Sequence, residues 1–337
     1  GLMFNWAFIP DQSKYLFHSY HARDSLLQIF NPTNSIAADK TGWRYPNSHL
    51  SGLKFHLPAF IYALSPILSL ETYKGIAICN RTLFLLTWIF FYKKKFLDEY
   101  SAIFFLLAPS MVFYSSVALR DILIILLMFW FIYFHYQNKK IISLFLLIIL
   151  FYIKFQLLVT VVIFIILDQV IRDDKIKFRL LFLIILLTIP TVFFLGEKVL
   201  QQLNFWREGF YLEEFGRYTS ITASKSFDSI ALGWNIHSIG KFWYGFINFI
   251  IPPFLNGKQT MYAYMHLAEV ALIIIFLYFK IKGQKNFNKY VLLKWFLVLF
   301  ISYALFSTVV FNSGSALRYK VPIMFFVIFG YINNVRL

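Results

Sequence analysis

The sequence predicts an all-α protein: a polytopic transmembrane helical bundle of about nine spans, with interfacial helices in two outer loops. Three observations predict it. Hydrophobic residues make up 59% of the chain and charged residues only 14%, where a soluble domain carries roughly 25% charged residues. Such a chain cannot clothe a water-facing surface. Apolar runs of about 17–25 residues recur, the length that crosses a bilayer as helix. Lysines and arginines gather in short turns between these runs, the pattern of cytoplasmic loops.

The elements follow from those turns. Lys93-Lys94-Lys95, Lys139-Lys140, Arg172 to Arg179 and Lys280 to Lys289 are short and basic, so all four are placed in the cytoplasm. The runs then alternate in direction. Residues 76–92 go inward, 99–118 return, and 121–137 go in again. The run 141–171 is too long for one span and carries Lys154 and Gln156 at its middle. It reads as two short helices meeting at the outer face. Residues 179–195 then go out, 260–280 in, 290–311 out and 319–334 in, with Arg336 as the terminal anchor.

Two further apolar runs, 53–70 and 242–255, do not fit the alternation; the second carries Pro252-Pro253. Both are expected along the outer interface, where Trp, Tyr and Lys anchor amphipathic segments. The whole chain, 1–337, reads as a single transmembrane domain with two large outer loops, about 1–75 and 196–259. The inner turns are short, so function is expected outside. Only about nine mostly apolar residues precede Pro10, too few to span. A helix ahead of Gly1 is therefore expected, giving about ten spans and an internal N-terminus.

The net charge of +16 reads as positive-inside bias rather than nucleic-acid binding. The single cysteine, Cys79, rules out an internal disulfide. Heavy use of Phe, Ile, Leu and Lys is what an AT-rich bacterial genome encodes, which points to a bacterial plasma membrane. There is no Gly-rich phosphate loop, no Cys/His spacing for zinc and no Gly-x-Ser-x-Gly elbow. There is no dense row of intramembrane acids for a proton path, only Asp168 near the inner end of its helix. These features argue against an ATPase or a proton pump. The two-fold hydropathy symmetry of many transporters is not evident.

Several residues carry two readings. Asp11 opens the first outer loop. It can act as general base towards an acceptor hydroxyl or amine, or cap a helix N-terminus. Arg120 and Asp121 fall between two helices. Arg120 can contact a phosphate, with Asp121 orienting it or binding a metal; equally, the pair complements two helix dipoles. Lys154 in mid-run is a functional candidate by its expense, at the outer rim facing a lipid phosphate, or a snorkelling side chain. Arg318 and Lys320 open the last helix on the outer side, against the positive-inside tendency. They can hold a phosphate or pyrophosphate or anchor the helix end. Lys14, Tyr15 and Arg44, in the first outer loop, join the candidates for holding lipid phosphate or sugar. Glu269 and His266 are one turn apart and are read as a structural pair.

The order of parts resembles the GT-C superfamily of integral membrane glycosyltransferases, such as protein O-mannosyltransferases and aminoarabinose transferases. The motifs are Pro10-Asp11-Gln12-Ser13-Lys14-Tyr15, a proline-bearing surface helix from Leu57-Pro58 to Leu70, Asn80-Arg81 near the start of a span, Pro109-Ser110, and Asp121 at an outer helix end. They cover about residues 8–137. Gln12 stands where the family often has a second acid, and Arg120 precedes the Asp unexpectedly. The resemblance implies sugar transfer from a polyprenyl-phosphate-linked donor, within the lipid bilayer, to a glycan, lipid or protein acceptor outside the cytoplasm. Asp11 would be the base. Arg120, Lys154, Arg318 and Lys320 would neutralise the leaving phosphate. No cofactor, metal ligand set or nucleic-acid partner is expected. The segment Ala316-Leu317-Arg318-Tyr319-Lys320-Val321-Pro322 also looks like the last helix of some bacterial polysaccharide polymerases, the alternative enzyme reading. A transporter or a non-catalytic membrane scaffold is the remaining one.

Overall fold

The computed structural model describes residues 57–62, 73–117, 119–172, 175–177, 196–208, 231–233, 237–250, 260–282, 288–310 and 313–334. Among them helix predominates. The elements are α1 (57–62), α2 (Tyr73–Lys93), α3 (Glu99–Leu107), α4 (Pro109–Ser115), α5 (Asp121–Tyr136) and α6 (Lys140–Val170). A hairpin of β1 (Ile171–Arg172) and β2 (Lys175–Ile176) follows. Then come α7 (196–208), α8 (His237–Ile250), α9 (Thr260–Lys282), α10 (Lys289–Ser307) and α11 (Ser313–Asn334). Three of these helices, at 74–93, 140–170 and 289–307, are long and apolar enough to cross a membrane. The run 179–195 and most of the two expected outer loops lie outside the described residues. The chain divides into two compact units, Gly1–Leu158 and Val159–Leu337.

In the first unit α5 is the central helix. Ile122, Ile124, Ile125, Met128 and Ile132 are all fully buried, as expected of a helix apolar on every side. α2 runs beside it in the same direction. Asn80 reaches the segment that leads into α5, donating to Val117 and Leu119. Phe91, three turns on, meets Trp130 and Tyr133 near the end of α5, with ring centroids 4.9 and 5.6 Å apart. Parallel courses for these two helices are what their expected inward runs require. The opposite side of α2 leaves Ile78, Leu86 and Ile89 exposed, an apolar face suited to lipid.

The run over 99–118, expected as one span, is not one unbroken helix. It is two helices, α3 and α4, parted at Ala108, whose φ of −56° and ψ of 122° leave the helical region. Pro109 causes the break: it has no N–H to donate, and its ring excludes the helical conformation from the residue before it. Asp98 caps α3 by accepting from the Ser101 amide at 3.0 Å. The Trp88 indole of α2 donates to the Ala102 carbonyl at 2.8 Å, tying α2 to α3.

α6 breaks where two helices were expected to meet. Lys154 sits at φ −154° and ψ 75° inside an otherwise helical run of 31 residues. The Lys154 side chain is buried.

In the second unit α10 and α11 pack closely around Trp295. This side chain is fully buried between Phe164, stacked at 4.7 Å, and Phe326, edge-on at 5.8 Å. Gly330 makes the contact possible: a Cβ there would lie 2.0 Å from the Trp295 ring. Asn288 caps α10, accepting from the Tyr290 and Val291 amides. α8 lies on α10 through Phe246 on Phe300 and Phe249 on Tyr303. Its other side leaves Ile239, Trp243 and Ile247 exposed. α11 begins at Ser313, six residues ahead of the expected 319, so Arg318 and Lys320 lie in its second turn rather than opening it.

Candidate functional site

Two polar constellations stand out, one in each unit. The first surrounds the segment from Ser116 to Asp121 at the head of α5. Asn80 is fully buried, and its Nδ2 donates to the carbonyls of Val117 at 2.7 Å and Leu119 at 2.9 Å. That orientation of the amide is the workable one, since its oxygen would face two acceptors. Tyr62 of α1 donates its hydroxyl to the same Leu119 carbonyl at 3.1 Å. Arg81, exposed, donates to the Ser116 hydroxyl at 3.1 Å. Three side chains from two helices thus hold the connection between α4 and α5.

That segment ends in Arg120 and Asp121, both buried. Arg120 is the residue just before α5, and Asp121 sits in its first turn. A carboxylate there complements the positive end of the helix dipole. Chemically, the constellation offers a guanidinium and a carboxylate in water-poor surroundings, where fixed charges act more strongly than in solvent.

The second constellation gathers around α10 and α11. Lys320 is buried; its Nζ donates to the Ile250 carbonyl at 3.0 Å and lies 5.4 Å from the centre of the Phe249 ring. It therefore caps the negative end of α8. Arg207 of α7 donates to the Thr308 carbonyl at the end of α10. Burial pulls its guanidinium down to about 10, so it stays charged at neutral pH. Lys294 and Asp168 form an ion pair at 2.7 Å, with the ammonium near the Phe164 and Trp295 rings. Glu269 of α9 is fully buried.

Of the residues singled out in the sequence, Asp11, Lys14, Tyr15, Arg44 and His266 lie outside the residues whose side chains are described. Arg120, Asp121 and Lys154 belong to the first unit; Arg318 and Lys320 belong to the second. Arg120 and Asp121 are brought together at one helix start. Lys320 faces a helix end. The reasoning from sequence missed Lys294 and Arg207. Lys294 carried a signal, being an ionisable residue in the second turn of an apolar helix; Arg207 carried none. No three His, Cys, Asp or Glu side chains converge among the described residues.

No protein-family model, curated protein or solved structure matches this chain.

Proposed function

We propose that the chain is a membrane glycosyltransferase that moves a sugar from a polyprenyl-phosphate-linked donor to an acceptor on the extracytoplasmic side. The observation that carries this reading is the constellation at the head of α5. Asn80 and Arg81 grip the segment leading to Arg120 and Asp121, which gives the weak motifs Asn80-Arg81 and Asp121 a common place. A donor of this kind is soluble in the bilayer, so the chemistry belongs at its surface. The phosphate must be neutralised as the glycosidic bond breaks, and a guanidinium held in a water-poor site does this well. Asp121 keeps Arg120 oriented. Asp11 takes the proton of the acceptor hydroxyl as its oxygen attacks the anomeric carbon; the bond to the carrier phosphate breaks on the opposite face, with inversion. No covalent intermediate is required, so a second carboxylate at close spacing is not demanded.

The test is transfer from a polyprenyl-phosphate-linked sugar by the purified protein in lipid nanodiscs. Asp11→Asn retains the shape and capping ability of Asp but cannot accept a proton. It is expected to keep stability and donor binding while losing roughly a hundredfold or more in rate. Asp24→Asn in the same loop is the control and should do little. Transfer at the parent rate by Asp11→Asn would remove the mechanism and favour a scaffold or polymerase.

A further inference from the structure

The two basic turns of the first unit meet at one end of it. Lys93, Lys94 and Lys95 close α2, Lys139 follows α5, and Lys140 opens α6; all are exposed. The two helix ends are built alike. The Phe96 amide donates to the Phe91 carbonyl at 2.8 Å and the Lys95 amide to the Tyr92 carbonyl at 2.9 Å, around a left-handed Lys95 (φ 57°). The Lys139 amide donates to the Phe134 carbonyl and the Asn138 amide to the His135 carbonyl, both at 3.0 Å, around a left-handed Asn138 (φ 54°). Both are Schellman caps, a motif that prefers glycine at the left-handed position. At one of them the chain carries lysine instead.

Aromatic rings lock these ends side by side. Phe90 meets Trp130 at 4.7 Å, and Phe96 meets Tyr133 at 5.0 Å. The five ammonium groups therefore share one end of the unit, although more than forty residues of sequence separate the two turns. Lys94 and Lys139 lie over Phe90 and Phe134, at 6.0 and 5.8 Å. Their stems follow apolar surface while their charges reach outward. Leading away from the lysines are exposed apolar side chains: Leu86 and Ile89 on α2, Ile141 and Phe145 on the stretch of α6 ahead of its break. The cations thus rim an apolar belt. Two acids follow in sequence, Asp98 as the cap of α3 and Glu99 in its first turn; against five lysines they leave this end net positive.

We propose that this end of the first unit is a docking surface for anionic phospholipid headgroups, whose phosphates are held by Lys93, Lys94, Lys95, Lys139 and Lys140. Flexible ammonium groups suit several independent phosphates. The apolar flanks favour lipid over a soluble polyanion, which would have to approach a hydrocarbon-facing rim.

The experiment places the full chain in nanodiscs of phosphatidylcholine with or without phosphatidylglycerol. Lipid retention after detergent extraction is then read by native mass spectrometry. The parent is expected to retain phosphatidylglycerol preferentially and to lose that preference as salt rises. Each lysine removed should weaken retention about fivefold, so Lys94→Gln/Lys95→Gly/Lys139→Gln/Lys140→Gln should abolish the preference. Lys198→Gln, at an exposed lysine of the second unit, should leave it intact. Should the fourfold variant fail to fold, Lys95→Gly alone preserves the left-handed cap and still has to show the fivefold loss. Equal retention of both lipids by the parent overturns the proposal. So does undiminished preference in the Lys95→Gly or fourfold variant, or displacement of the lipid by an oligonucleotide or acidic peptide.

Discussion

At the scale of single residues, the buried polar contacts rank by what would be left unpaired. Removing the Asn80 amide takes a donor from two buried carbonyls, leaving Val117 without its bond to Asn80 and Leu119 with the Tyr62 hydroxyl. Asn80→Ala is expected to cost about 2–3 kcal/mol, read as a lowered midpoint of thermal unfolding in detergent. Arg81→Ala, which loses one exposed contact to Ser116, should change it little. Equal effects would mean that the segment is not held as described. Lys294 gives a sharper comparison. Lys294→Met takes from the half-buried Asp168 carboxylate its partner at 2.7 Å, at a cost expected below the ~3–5 kcal/mol of a fully buried pair. Adding Asp168→Asn removes the stranded charge, so the double variant should be more stable than Lys294→Met alone. A double variant no better than the single would show that the two charges are not coupled. At Gly330 the question is space. A methyl group would meet the Trp295 ring at 2.0 Å, so Gly330→Ala should lower stability by about 1–3 kcal/mol through overpacking.

At the scale of elements, α8 is the informative case. Its sequence is amphipathic, yet one apolar side packs on α10 while another is exposed. Two features hold it down. Gly245 lets the backbone approach, since a Cβ there would be 3.0 Å from the Ser307 carbonyl. Lys320 caps its last carbonyls at Ile250. Gly245→Val and Lys320→Met are each expected to raise amide hydrogen exchange across 237–250 while leaving the buried turns of α11 protected. Exchange unchanged in both variants would mean that α8 is held by its rings alone. The two breaks elsewhere have different origins. Pro109 forces the one between α3 and α4 through its missing donor and its ring. The one in α6 falls at Lys154, an ionisable residue inside an apolar run.

At the scale of the whole molecule, the prediction is topological. The basic turns are expected on the cytoplasmic side and the loop at 209–230 on the other. In a Cys79→Ser background, Lys94→Cys and Ser224→Cys should label with an impermeant thiol reagent from opposite faces of sealed vesicles. Labelling from the same face would remove the proposed outward site and the proposed lipid contact together, whereas failure of lipid retention alone would leave the transferase reading standing.

Much of this was legible in the sequence, and for a physical reason. Burial in lipid demands long apolar runs, and backbone chemistry is local. Composition therefore fixed the membrane character of the chain, and the runs at 76–92 and 290–311 located two of its membrane-length helices. The charge at Lys154 marked the break in α6. Pro109 was visible too, but as part of a motif rather than as a helix stop. What only the tertiary structure decided is which distant groups meet. Asn80 and Leu119, Asp168 and Lys294, Lys320 and Ile250 are each brought together by packing between helices. Hydropathy and charge read one residue and its neighbours; they do not tell which face of a helix will turn towards which other. For the same reason the sequence showed two separate basic turns, and the parallel packing of α2 on α5 made them one surface.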